Sequence, residues 1–276
     1  MDYQKDKKLV KIYGNTFTIN YDVDKKKLTD GKGRIPFEIY HTANYLDFIA
    51  KNNKIEIKEL KLADNSNKNN TFIAKGNANL DNGEFSLNYE GKATSIKRKV
   101  KENDLILSFD GKGKIENKNN ILSSQGQIND LSLEYIGKIE KINGTYNFKK
   151  VGKDIEANIL TKIASIGYDK YKFENFNLVA NYSGNQVKIK DFSNNLISLK
   201  ADYNVDSQKI NSNVSINRLT NKDVYLDKVE FILENLKANV QGDIKNPQGN
   251  IDLGSSIVTL PSKDFVKITG KASIKG

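Results

Sequence analysis

His41 is the only histidine in this 276-residue chain, and no Gly-x-Ser-x-Gly turn is present to offer a nucleophile to it. It reads as a polar side chain near the start of a short helix rather than as a general base. Cysteine is absent, which removes disulfides, thiolate nucleophiles and the usual zinc ligand sets. No Asp-x-Asp-x-Asp-Gly loop with a Glu at its end supports a calcium site. Gly31-Lys32-Gly33-Arg34 and Gly111-Lys112-Gly113-Lys114 have the composition of phosphate loops. Neither keeps the Gly-x4-Gly-Lys-Ser/Thr spacing or opens a helix, so both read as turns. Carboxylates for glycoside hydrolysis meet only in space, but tryptophan, the usual sugar platform, is absent. The chain reads as a non-enzyme that needs no cofactor and no metal.

Charge gives a second lead. Lys and Arg total 44 against 34 Asp and Glu, a formal net charge of +10, which suggests a nucleic-acid or anionic-membrane partner. Only Arg34, Arg98 and Arg218 are arginines, however, whereas bidentate recognition of phosphates and base edges favours Arg. The lysines are interleaved with Asp, Glu and Asn, so nucleic acid is not the expected partner. The basic run from Ile96 to Lys101 reads as a solvated loop or an edge strand.

The elements that would position any site are strands. Phe72, Ala74, Gly76, Ala78 and Leu80 alternate with polar residues, Asp81-Asn82-Gly83 supplies a hairpin turn, and Phe85, Leu87 and Tyr89 return on the same logic. The pattern recurs at Leu105, Leu107 and Phe109, at Ile197, Leu199, Ala201 and Tyr203, and at Ala238, Val240, Gly242 and Ile244. Asn246-Pro247-Gln248-Gly249 interrupts it, and Ile251, Leu253, Val266 and Ile268 resume it. The spacing predicts about 16 to 20 strands. Tyr45, Leu46, Ile49 and Ala50 fall at helical spacing and predict one short amphipathic helix over 42–51. Glycine and alanine recur on the apolar face, which would let a long sheet coil and leave room above that face.

So many one-sided strands must cover their apolar face by closing a barrel, by stacking two sheets or by rolling into a trough. Alternation continues to the last residues, as in a segment of a longer repetitive sheet, and residues 1–276 read as one continuous stretch of it. Irregular spacing argues against a regular β-solenoid.

The pattern Val240-x-Gly242-x-Ile244-x-Asn246-Pro247-x-Gly249-x-Ile251-x-Leu253, with Val266-x-Ile268-x-Gly270-x-Ala272-x-Ile274, resembles the repeats of the TamB family of AsmA-like proteins. Phe72 to Leu80 and Ile197 to Asp206 resemble them too. The resemblance implies an all-β fold: a long, mostly antiparallel sheet rolled into an open groove, the β-taco or half-barrel, with at most one or two short helices. It implies a periplasmic part of an inner-membrane-anchored protein in a diderm bacterium, conducting phospholipid acyl chains between inner and outer membranes. A TamA-like outer-membrane barrel is the implied protein partner, and assembly of outer-membrane proteins is the alternative role. The lining expected for such a groove is Phe72, Leu80, Phe85, Leu87, Leu107, Leu199, Val240, Ile244, Ile251, Leu253, Val266 and Ile268.

Overall fold

The computed structural model describes the chain apart from residues 1, 5–8, 40–41, 65–66, 68, 170, 224–229, 260–264 and 276. His41 lies outside the described residues. The strands are β1 (Asp2–Gln4), β2 (Leu9–Gly14), β3 (Phe17–Asp22), β4 (Lys27–Ile39), β5 (Thr42–Lys51), β6 (Lys54–Ala63) and β7 (Thr71–Asn79). Next come β8 (Glu84–Val100), β9 (Asn103–Lys118), β10 (Ile121–Glu134), β11 (Lys138–Val151), β12 (Asp154–Tyr168), β13 (Tyr171–Ser183) and β14 (Gln186–Ser193). The last are β15 (Ile197–Asn204), β16 (Lys209–Thr220), β17 (Glu230–Asp243), β18 (Asn246–Asp252), β19 (Ser255–Thr259), β20 (Phe265–Ile268) and β21 (Lys271–Lys275).

Among the described residues all 21 strands belong to one large antiparallel sheet that does not close on itself. No helix occurs among the described residues. The strand count exceeds the expected range because two long strands are broken. The first half of β17 pairs with β19 and the second half with β18. β20 and β21 then pair with β19 and β18 respectively. The breaks fall beside Gly254 and Gly270, both with positive φ, and the Leu253 amide donates to the Gly270 carbonyl at 2.9 Å.

Turns follow from asparagine. Asn52 and Asn53 join β5 to β6 with φ of 52° and 61°, and Asn119 and Asn120 join β9 to β10 with φ of 52° and 60°. Two left-handed residues in succession match the right-handed twist of the flanking strands, and asparagine tolerates that conformation better than other side chains. Asn53 also fixes its surroundings: its Oδ1 accepts from the Leu28 amide and its Nδ2 donates to Asp81, each at 2.6 Å.

Three local expectations are corrected. Residues 42–51 form strand β5, not a helix. Leu46, Phe48 and Ala50 share one face and pack with Leu28, while Ile49, which a helix would have buried, is 46% exposed on the other. Pairing with β4 on one side and β6 on the other satisfies the backbone that a helix would have satisfied internally. The glycine-lysine stretches at 31–34 and 111–114 run inside β4 and β9 rather than forming turns. A side chain at Gly33 would strike the Thr16 carbonyl, so glycine there serves close backbone approach. At 244–249 the turn is Ile244-Lys245, and Pro247 lies in β18 opposite Gly242, beyond the register shared with β21.

The chain packs as two compact units, Met1–Ile96 with Leu107–Asn129 and Lys149–Lys153, and Lys97–Ile106 with Asp130–Phe148 and Asp154–Gly276. In the first unit Leu28, Phe48 and Ala50 form a small buried cluster, flanked by Phe17, Ile19, Ile35, Leu46 and Ile55.

Candidate functional site: an apolar sheet face without a second layer

In an antiparallel sheet, directly paired residues share a face, so the registers convert period-two sequence patterns into rows that cross the strands. In the second unit one row reads Ala157, Tyr182, Val187, Tyr203, Ile210, Gly242 and Pro247 from β12 to β18. The next reads Ile159, Ala180, Ile189, Ala201, Ser212, Val240, Gly249 and Ile274. A third reads Thr161, Leu178, Phe192, Leu199, Val214, Ala238, Ile251 and Ala272. Interleaved rows on the opposite face are polar: Lys188, Asp202, Asn211, Gln241 and Gln248 in one, Lys200, Asn213, Asn239 and Asn250 in another.

The first unit repeats the arrangement. Ile19, Gly31, Ala50, Ile55, Ala78 and Phe85 make one row, and Phe17, Gly33, Phe48, Ile57, Gly76 and Leu87 the next. Glycine does not leave empty space in them. An added Cβ at Gly31 would lie 3.2 Å from the Phe48 ring, and one at Gly91 would lie 3.2 Å from Phe109 and 3.4 Å from Phe72. Aromatic rings from neighbouring positions occupy the room that was expected to stay open.

Burial separates this face from an ordinary core. Among the described residues no large side chain is fully buried, and the buried apolar residues are few: Leu28, Phe48, Ala50, Ala74, Ile128, Ile163, Phe176, Ala201 and Leu219. Leu178, Phe192, Leu199, Val214 and Ile251 are half-buried. Among the described residues the contacts between elements run from strand to neighbouring strand, so side-by-side neighbours shield these side chains, whereas a two-layer domain buries such residues almost completely.

Of the residues expected to line a groove, Leu199 and Ile251 share one row and Val240 stands in the adjacent one. Phe85 and Leu87 lie in adjacent rows of the first unit, and Phe72 stacks on Tyr89 with ring centroids 5.7 Å apart. Leu107 is half-buried in β9. Leu80 and Ile244 lie in turns past the ends of β7 and β17 and are 55% and 52% exposed. Leu253 sits at the break between β18 and β19, while Val266 and Ile268 on β20 oppose Val258 and Ser256 and are exposed. Phe192 and Leu60 also belong to apolar rows but escape period-two reading. A register shift between Ile189 and Phe192, and another between Ile57 and Leu60, inserts a residue and offsets the alternation.

The polar face carries its own network. The Tyr45 hydroxyl donates a short hydrogen bond to Glu59, the Arg34 guanidinium lies 4.0 Å over the Tyr45 ring, and Arg34 pairs with Asp47 at 3.0 Å. The hydrogen bond from Tyr45, assisted by Lys75, holds the Glu59 carboxyl below its ordinary range, and the same bond raises the Tyr45 phenol. A depressed carboxyl stabilises the fold above the unfolded-state pKa and loses that contribution as pH falls through the folded value. Tyr45→Phe is therefore expected to cost about 1 kcal/mol or less near neutrality. Its difference from the parent should shrink below about pH 4. Urea melts across pH check this; an undiminished difference at low pH would exclude Glu59 as the partner that matters. The basic run at 96–101 closes β8, where Lys97 pairs with Asp104 at 2.8 Å.

The fold and face thus define an open, one-sided β-sheet protein. Comparison with protein-family models, curated proteins and solved structures finds no match.

Proposed function

We propose that the chain is a non-enzymatic lipid-transport segment whose apolar face shelters phospholipid acyl chains crossing the periplasm between inner and outer membranes. In this reading it is part of an inner-membrane-anchored protein of TamB-like character that works with a TamA-like barrel. The observation that supports it is the set of three adjacent, mostly apolar rows, continuous over seven or eight strands and for the most part only half-buried. Exposing an acyl chain to water costs about 0.8 kcal/mol per methylene, so transfer requires shelter along the whole path rather than one pocket. Eight strands at about 4.8 Å spacing give a row of roughly 34 Å, longer than the roughly 15 Å hydrocarbon depth of one leaflet. Aliphatic lining holds a tail without a directional bond that would stop it, and the headgroup can remain in water.

The open sheet edge favours a second reading, a scaffold that pairs with strands of outer-membrane proteins. Among the described residues β21 pairs only with β18 and β20 only with β19, which leaves an edge able to accept a strand.

One experiment separates the two. A photo-reactive side chain at Leu199 or Ile251 is expected to capture phospholipid in cells, and the same group at Lys200 or Asn250, on the opposite face, is not. Equal labelling of both faces, or none at either, would defeat the lipid reading. Capture of barrel-protein strands at Ser273 on β21, without lipid at Leu199, would establish the scaffold instead.

A further inference from the structure

A concavity of about 820 Å³ in the first unit, a size typical of small-ligand sites, is lined by charged and amide residues from β5 to β9 together with Ile49, Ile55, Ala78 and Phe85. Its charges are unevenly compensated. Glu56 pairs with Lys58 at 2.5 Å, Glu116 pairs with Lys114, and Glu84 accepts the Asn119 amide at 3.1 Å. Among the described residues Lys51, Lys54 and Lys118 have no ion pair, and neither has the Glu84 carboxylate, which leaves three unpaired cations against one unpaired anion in the lining. Lys51 and Lys54 stand directly opposite each other across the Asn52-Asn53 turn. Like charges in that cross-strand position repel unless an anion lies between them.

We propose that this concavity binds a phosphate monoester carried on a sugar or polyol. Three separate ammonium groups suit a compact dianion approached from several sides, whereas a planar carboxylate is better matched by the arginine fork, which this lining lacks. Asn77 lies in the lining beside Asn79, and amides both donate to and accept from hydroxyls. Ile49, 46% exposed at the same surface, offers an apolar contact for the C–H face of a ring. Ile55, Ala78 and Phe85 of an apolar row also border the concavity. The proposal does not need the lipid reading, because it rests on the lysines of the Asn52-Asn53 turn, which alternate with that row.

The test is calorimetric titration of the whole chain with glucose 6-phosphate, with glucose, and with vesicles containing phosphatidylinositol 4-phosphate. Glucose 6-phosphate is expected to bind saturably, more weakly at higher salt, and glucose is not. The double substitution K51Q/K54Q should weaken binding by at least about tenfold, with an unchanged far-UV spectrum. The pair K200Q/K237Q in the second unit should leave it unaltered. Binding to the vesicles alone, with the same dependence on Lys51 and Lys54, would assign the phosphate to a lipid headgroup at this site. The proposal is overturned if neither ligand binds, if K51Q/K54Q leaves the affinity intact, or if K200Q/K237Q weakens it equally.

Discussion

Replacing Leu199 by Asp is expected to slow acyl-chain movement about a hundredfold while the sheet stays folded. Leu199 stands between Phe192 and Val214 in the middle of an apolar row, and it is half-buried rather than sealed. A carboxylate there can turn toward water from the uncovered side, so the loss of stability should be about 2 to 3 kcal/mol, somewhat above that of truncation to alanine and within the ordinary range of single substitutions. An alkyl chain passing the same point has no such freedom. Bringing hydrocarbon against an ionised side chain costs roughly 2.5 to 3.5 kcal/mol, and each 1.36 kcal/mol is a factor of about ten in rate. Transfer of a fluorescent phospholipid between donor and acceptor vesicles, read beside a far-UV spectrum, measures both quantities. Lys200→Asp, one residue away on the opposite face, is the matched control. Equal transfer by the Leu199 variant and the parent would end the conveyor reading.

Phe48→Ala is expected to destabilise the protein by about 3 to 5 kcal/mol, the largest effect of any single truncation considered. Phe48 is 4% exposed, packs with Leu28 and Ala50, and lies over Gly31. Losing the ring leaves a cavity that the paired backbones of β4 and β6 cannot collapse to fill. Leu199→Ala should cost only about 1 to 2 kcal/mol, because that side chain is only partly buried and the site is not enclosed. Urea unfolding of the two variants separates a covered position from an uncovered one. Similar losses would mean that the third apolar row of the second unit is sealed as Phe48 is.

How much of this was legible depended on whether a residue's role is set by its immediate neighbours. Alternation at 72–80 and 197–205 identified strands, since a strand with one apolar face needs period two whatever it pairs with. The same logic failed at 42–51. Tyr45, Leu46, Ile49 and Ala50 satisfy a helical period, but Phe48 satisfies a strand period, and the Leu28 side chain across the sheet decided between them. Phe192 and Leu60 were hidden for a related reason: a bulge shifts the side-chain phase by one, and composition carries little trace of it. Gly31 and Gly111 looked like turn residues because glycine permits turns, while their use here is to admit an aromatic ring or a backbone across the strand.

The sequence by itself determined that this protein is built mainly of strands, that most strands have one apolar side, and that asparagine and glycine make many of its connections, since these depend on local sterics and on side-chain period. Register, the breaks at Gly254 and Gly270, and the merging of separate apolar residues into rows were decided only by the tertiary structure. Register is a relation between two segments, even where they are consecutive in the chain, and no residue carries the identity of its partner.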